Sequence, residues 1–334
     1  MRPRWPKVSA VEVADLKRSF QVPHDSGRGA ARWLRLLLKP ESRTVEALRG
    51  VSFRVERGEF IGYIGPNGAG KSTTIKILTS VIAPSGGTVR VLGFDPWRDR
   101  FQYTKRIGVI FGQKSLLMWD LPLRDSFELY RAIYRQDHAS YKRSTDRLIQ
   151  HLNVGPFLHT PVRKLSLGQR MRGELVAALA HMPEVLFLDE PTIGLDFEGK
   201  MRFRELLESL HRELGLTVIL TSHDLAEVEQ LASRVLVLNA GKVAYDGRVA
   251  ELREESEAGK VLHVRFSHIY DPELLEEIRR RYRCHEPGAH ELSIALPRRD
   301  LPKLLPQLFS ALSVSDLQVK DTPLQDLLAR WYRS

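Results

Sequence analysis

The sequence predicts an α/β protein in two parts, a core over residues 1–250 and a small α+β domain over 251–334. Three observations carry that reading. Short, unbroken apolar runs at 185–188 and 217–220 have the composition of buried strands. A glycine-rich loop at 65–72 stands between another apolar run and a helical pattern. Past a charged stretch at 251–260, short strand and helix patterns alternate to the end.

In chain order, residues 8–20 read as an opening strand that ends in basic residues and Phe20. Pro23, Asp25, Ser26 and Gly27 supply turn chemistry for a break over 21–29. Residues 28–43 form an inserted basic amphipathic segment. Ala30, Trp33, Leu34, Leu37 and Leu38 share one helical face, Arg28, Arg32, Arg35 and Lys39 another, and Pro40 ends it. Such a face suits a lipid interface or membrane partner, and equally the chain's own core. The run 59–64 enters the glycine loop as a strand, and 72–80 leaves it as a helix. Ser166 and Gln169 have the spacing of a capping box opening a helix over 170–180. Residues 234–238 and 243–245 flank a hairpin turn at 239–242. In the second part, strands are expected at 261–266, 290–296 and 314–319, and helices at 272–283, 299–311 and 323–332.

Composition narrows the class. Of 334 residues, 43% are hydrophobic and 28% charged, an ordinary globular balance with material for a core. No apolar stretch approaches the ~18 residues that span a bilayer, and the N-terminus lacks the apolar block of a signal peptide. The chain is therefore expected neither to cross a membrane by itself nor to be exported. A single cysteine, Cys284, excludes an internal disulfide and a cysteine-built metal site, and suits a reducing cytoplasm. The net charge of +10 favours anionic partners, nucleic acid or acidic lipid headgroups.

The residues Gly65, Pro66, Asn67, Gly68, Ala69, Gly70, Lys71 and Ser72 satisfy G-x-x-x-x-G-K-[ST], with the strand before and helix after that the pattern requires. Its glycines let consecutive backbone N–H groups turn toward one anion at a helix N-terminus. Lys71 would reach the β- and γ-phosphates, the Ser72 hydroxyl would ligate Mg²⁺, and Thr73 completes the nucleotide-binding set. This specifies a nucleoside triphosphate without choosing among kinases, GTPases, helicases and transporter motors. An N-K-x-D guanine reader is absent from the sequence, which counts against a GTPase.

Downstream motifs choose. The run 185–188 ends in Asp189 and Glu190, carboxylates placed to hold Mg²⁺ and to polarise an attacking water. Leu165-Ser166-Leu167-Gly168-Gln169 precedes that pair, Gly194-Leu195-Asp196 follows it, and Thr221-Ser222-His223-Asp224 comes after the next apolar run. Gln113, in Phe111-Gly112-Gln113-Lys114, lies between the glycine loop and Ser166. This ordered set resembles the nucleotide-binding subunit of ATP-binding-cassette (ABC) transporters over residues 20–247.

The resemblance implies a P-loop NTPase fold of the ABC-ATPase type, with an antiparallel β subdomain and a helical subdomain, and Mg²⁺-dependent ATP hydrolysis. Phe20 would stack on adenine, with a place in the core as the alternative. Gln113 would join Ser72 and Asp189 on Mg²⁺, and His223 would contact the γ-phosphate and hold the water with the catalytic Glu190. Ser166, Gly168 and Gln169, with Asp196, would serve the site of a second subunit, so the working unit would be a homodimer. Leu167 departs from the usual signature by replacing its first glycine.

The 107–130 region and the C-terminal module resemble the ABC-2-type exporter subgroup. That implies two separate transmembrane permease subunits, solute export, contact with the membrane surface and a peripheral place on the cytoplasmic face of the inner membrane. The C-terminal module would stabilise, dimerise or regulate. The competing class is a soluble ABC ATPase acting on nucleic acid or ribosomes, where the positive charge would serve phosphate contacts. Its usual tandem cassettes or long coiled coils are missing from this sequence, so no nucleic acid partner is expected.

Overall fold

The computed structural model describes residues 9–23, 42–112, 114–254 and 259–332. The chain divides into two compact units, one ending at Asp246 and the other starting at Gly247.

In the first unit, β1 (Ser9–Pro23), β2 (Ser42–Glu56) and β4 (Gly86–Val91) make an antiparallel sheet in the order β2-β1-β4. A six-stranded sheet has the order β5-β6-β7-β3-β8-β9, from β3 (Phe60–Ile64), β5 (Ile107–Phe111), β6 (Val185–Asp189), β7 (Thr217–Thr221), β8 (Arg234–Asn239) and β9 (Lys242–Arg248). The pairs β5–β6, β6–β7, β7–β3 and β3–β8 are parallel, so the C-terminal ends of these strands share one edge. Every residue of β3 and β7 is buried, as expected of parallel strands covered on both faces. Ala240 and Gly241 both have positive φ in the β8–β9 turn, the backbone that closes a tight hairpin. Ile75, Ile77 and Leu78 of the Lys71–Leu78 helix join Val11, Phe53, Phe187 and Ile219 in one core, which ties the two sheets together.

Helices Leu123–Ile133, His138–His151 and Leu167–Leu179 occupy the chain between β5 and β6. They form the helical part expected beside the sheets.

Two elements differ from the sequence reading. Of the break expected at 21–29, Gln21, Val22 and Pro23 instead stay in β1, paired with Thr44, Arg43 and Ser42, and residues 24–29 lie outside the described residues. Ladder hydrogen bonds thus carry the strand past residues whose composition favours a turn. Of the inserted segment 28–43, residues 28–41 lie outside the described residues, while Ser42 and Arg43 belong to β2.

The second difference lies in the second unit, where Arg283–Gly288 forms a strand, β11, and the helix before it ends at Arg281. With β10 (Lys260–Ile269), β12 (Glu291–Leu296) and β13 (Leu312–Asp321), it builds an antiparallel sheet in the order β11-β12-β10-β13. Helices Pro272–Arg281 and Leu301–Ala311 supply the crossovers, giving the β-α-β-β-α-β order of a split βαβ fold. Edge strand β11 escapes a pattern search because one side pairs and the other is bare. Only Cys284 packs on the core, and Pro287 is tolerated at an edge.

The two faces of this sheet make opposite demands. Leu262, fully buried among Ile294, Leu304 and Leu308, should cost about 2–5 kcal/mol on substitution by Ala. His263→Ala, on the solvent face, should stay within about 0.5 kcal/mol. Urea denaturation of the full chain, followed by circular dichroism, measures both.

Candidate nucleotide site

The site grows from the shared strand edge. After Ile64 the loop turns through Gly65, Gly68 and Gly70 with φ of 154°, 80° and 106°. A Cβ at Gly65 would lie 2.1 Å from the Leu238 carbonyl oxygen, and one at Gly70 would lie 2.6 Å from that of Ala47. Only glycine fits so close to neighbouring backbone. The loop is closed by Ala69 N–H donating to Pro66 O at 3.2 Å and by Gly241 N–H donating to Ala69 O at 3.1 Å.

Lys71 opens the helix and is 5% exposed, with Nζ donating to Gly65 O at 2.6 Å and Pro66 O at 3.1 Å. Burial holds its pKa below the usual lysine value, an effect opposed by the negative charges of Glu190 and Asp189. The helix start has no side-chain cap, so its first-turn N–H groups suit an anion. Thr73 follows in the same turn, and Thr74 anchors it by donating to Gly70 O through both its N–H and its hydroxyl.

At the end of β6, Asp189 Oδ1 accepts from Thr221 Oγ1 at 2.6 Å and from Ser72 Oγ at 3.3 Å. A hydroxyl and a carboxylate converging there are the hard oxygen donors that Mg²⁺ prefers. Glu190 has φ 55°, a left-handed backbone that costs a non-glycine residue about 1–3 kcal/mol. Its N–H is held by Thr221 O at 3.0 Å and Thr221 Oγ1 at 3.1 Å. So turned, Glu190 Oε1 meets His223 Nε2 at 2.6 Å, with the carboxylate mostly covered and the imidazole half exposed.

A buried carboxyl stands behind that pair. Glu227, 1% exposed, accepts on one oxygen from Ser222 Oγ at 2.6 Å and Thr192 Oγ1 at 3.0 Å. Ser222 adjoins His223, and Thr192 lies two residues after Glu190, so a single oxygen ties the two loops together. Burial raises the pKa of Glu227, with the two hydroxyl donors opposing the rise. Asp224 caps the Leu225–Leu231 helix and pairs with Lys200 at 3.0 Å, joining the Phe197–Leu214 helix to the same assembly.

The remaining expected residues lie elsewhere. Ser166 and Gln169 form the full capping box, Gln169 N–H donating to Ser166 Oγ at 3.2 Å and Ser166 N–H to Gln169 Oε1 at 2.9 Å. Asp196 caps its own helix through Gly199 N–H at 2.7 Å. Leu167 Cδ2 lies 3.2 Å from where a Gly194 Cβ would stand, so the leucine side chain faces the Gly194 turn. The space about Gly168 stays open. Ser166, Gly168, Gln169 and Asp196 all line one cavity of about 680 Å³, and none of its lining residues belongs to the 65–73 loop. Phe20 is half-buried on β1 opposite Val45, outside the core cluster, with the Arg18 guanidinium 4.6 Å from its ring centre. Gln113 lies outside the described residues.

Known proteins resemble this chain in sequence and fold. A family model described as ABC transporter matches residues 48–193. The ABC transporter ATP-binding protein NatA of Bacillus subtilis is 32% identical over 64% of this chain and 87% of its own length. The chain belongs to the ABC transporter family. The daunorubicin resistance ATP-binding protein DrrA3 of Streptomyces coeruleorubidus is 37% identical to this ABC chain, over 65% of it and 68% of the relative. A solved ATP-binding subunit of an ABC transporter shares 26% identity, with a TM-score of 0.59 over 73% of this chain and 92% of that one. As an ABC ATPase subunit, the chain hydrolyses ATP with Mg²⁺ in the service of transport, and its relatives favour this reading over a nucleic-acid or ribosome factor. Among the described residues, no helix is long and apolar enough to cross a membrane.

Sequence reasoning about this ABC subunit takes Thr221 and Ser222 only as the approach to His223, and passes over Thr192 and Glu227. Asp224 and Glu227 have capping spacing, which marks a helix start. It does not reveal that the Glu227 carboxyl turns inward to the hydroxyls. Glu227→Ala leaves Ser222 and Thr192 without that acceptor, so kcat should fall about tenfold or more while the KM for ATP stays within about twofold. Steady-state ATPase assays measure the split.

Proposed function

We propose that the chain powers solute export as a homodimer, each ATP being held between the 65–73 loop of one copy and the capped helix start of the other. The observation that carries this is the separation of the two half-sites. The loop, Asp189, Glu190 and His223 converge at the strand edge, whereas Ser166, Gly168, Gln169 and Asp196 line a cavity to which the loop contributes nothing. A second copy completes each site.

In this reading Gly65, Pro66, Asn67, Gly68, Ala69 and Gly70 present N–H groups to the phosphates. Lys71 exchanges its two carbonyl partners for β- and γ-phosphate oxygens. Ser72 and Asp189, with Gln113, hold Mg²⁺, which when bound neutralises charge on the transferring phosphoryl group. Glu190 takes a proton from the attacking water, and His223 orients that water and the γ-phosphate. Phe20 stacks on the base.

Transport requires a membrane partner, and an apolar surface supports one of ABC-2 permease type. Phe101, Ile133 and Met182 are each more than half exposed. They are drawn together by Arg135, 5.8 Å over the Phe101 ring, and by Tyr134 stacked on His181 at 4.2 Å. Met118, Trp119 and Leu121 add an exposed loop. The daunorubicin-resistance name of one relative supports export of a small molecule. The site of action is the cytoplasmic face of the membrane, and the unit from Gly247 onward is an accessory domain.

Two experiments test the reading. Glu190→Gln should bind ATP normally, hydrolyse it at least a hundredfold more slowly, and elute as a nucleotide-locked dimer in size exclusion; hydrolysis at the parent rate rejects Glu190 as the base. Lys71→Ala and Gly168→Asp should each be inactive alone and recover activity when mixed, because a mixed dimer holds one intact composite site. No recovery, despite mixed dimers seen by native mass spectrometry, defeats the composite site.

A further inference from the structure

Glu174 lies in the middle of the Leu167–Leu179 helix and is 3% exposed. Burying a carboxyl is costly, and an apolar residue would fill the inner face of a helix without that cost. What a carboxyl adds is direction. One oxygen accepts from Ser115 Oγ and the other from Leu116 N–H, the second at 2.9 Å. Both donors belong to the loop that leaves β5 and carries Met118, Trp119 and Leu121 outward.

The neighbouring residue serves the same contact. A Cβ on Gly173 would lie 2.8 Å from Leu123 Cδ2 and 3.1 Å from Leu117 Cδ1, so its absence lets the loop sit close against the helix. Other bonds stiffen the loop around this seat. Ser115 Oγ also accepts from Leu117 N–H at 3.1 Å, Tyr130 Oη donates to Leu116 O at 2.8 Å, and Met118 N–H donates to buried Ser126 Oγ at 3.0 Å. The loop is tied as well to the segment leading into Ser166, through Val162 N–H to Leu121 O at 3.1 Å and Arg163 N–H to Trp119 O at 3.0 Å. The exposed apolar loop and the capped helix start are therefore joined by an unbroken chain of hydrogen bonds and packed side chains.

We propose that Glu174 is a positioning residue that makes the 115–121 loop and the Leu167–Leu179 helix move as one body. A displacement at the loop, where a hydrophobic membrane subunit would dock, then reaches the Ser166–Gln169 helix start, and nucleotide at that start reaches the loop. The proposal rests on the reading that this helix start meets nucleotide held by a second copy.

Hydrogen–deuterium exchange on the full chain, with and without a non-hydrolysable ATP analogue and Mg²⁺, tests it. The quantity read is the nucleotide-dependent difference in each segment, which a purely structural role for Glu174 would leave in place. In the parent chain, segments 115–121 and 167–175 should slow together. In Glu174→Ala, 167–175 should still respond, while the response of 115–121 should fall about fivefold or more. Glu174→Gln, which keeps one acceptor oxygen, should restore most of it. Should Glu174→Ala fail to fold, Ser115→Ala removes one donor from the outer side and should lower the 115–121 response about twofold.

An undiminished 115–121 response in Glu174→Ala, or in Ser115→Ala if that variant must stand in, overturns the proposal. So does a parent chain in which 167–175 responds alone, a result that leaves the nucleotide reading of the helix start standing. A parent chain that binds the analogue tightly yet slows neither segment removes that reading, and the proposal with it.

Discussion

Thr221 supplies the contact on which the geometry at the strand edge depends. It ends β7, between β6 and β3, so its side chain and carbonyl lie between the acidic strand end and the phosphate loop. One hydroxyl donates to Asp189 and accepts from Glu190 N–H, while the carbonyl accepts from the same N–H. These bonds offset the strain of the left-handed Glu190 backbone and fix the direction in which its carboxylate leaves the strand. Without them the 2.6 Å approach of Glu190 to His223 would have no support from below.

Around that contact the molecule spends buried polarity where position matters. Glu227 ties the loops that flank Glu190 and His223, Glu174 ties the loop after β5 to a helix, and Lys71 is buried inside its own turn. Each buried charge would be unfavourable alone; the two carboxyls are met by donors fixed on other elements, and Lys71 by carbonyls of its own loop. The apolar strands of the six-stranded sheet make those elements stiff enough for two or three hydrogen bonds to set a geometry.

Much of this is legible in the sequence because the periodic and punctuated parts report themselves. Buried parallel strands read as apolar runs at 185–188 and 217–220, the glycine loop has fixed spacing, and Ser166 with Gln169 shows its capping box directly. What escapes is whatever depends on a partner distant along the chain. Strand β11 is a strand only because Arg283, Cys284 and His285 find Ala295, Ile294 and Ser293. Gln21–Pro23 stay extended only because β2 returns beside them. Glu174 and Glu227 look like ordinary helix-surface acids until the fold turns them inward. Leu167 breaks the usual glycine pattern, and only its contact with the Gly194 turn explains how the bulk is housed.

The pairing of Pro23 with Ser42 has a consequence for how such a chain can change. Pro23 and Ser42 stand side by side, so the sheet presents the two ends of any chain placed between them at adjacent points, as a single port presents a cable. The entropy of closing such an excursion grows only with the logarithm of its length. Lengthening, trimming or exchanging it therefore asks little of the strands that frame it. The ATPase can acquire or shed an appendage at that doorway while its engine stays the same, a route by which one motor design could be fitted to different machinery.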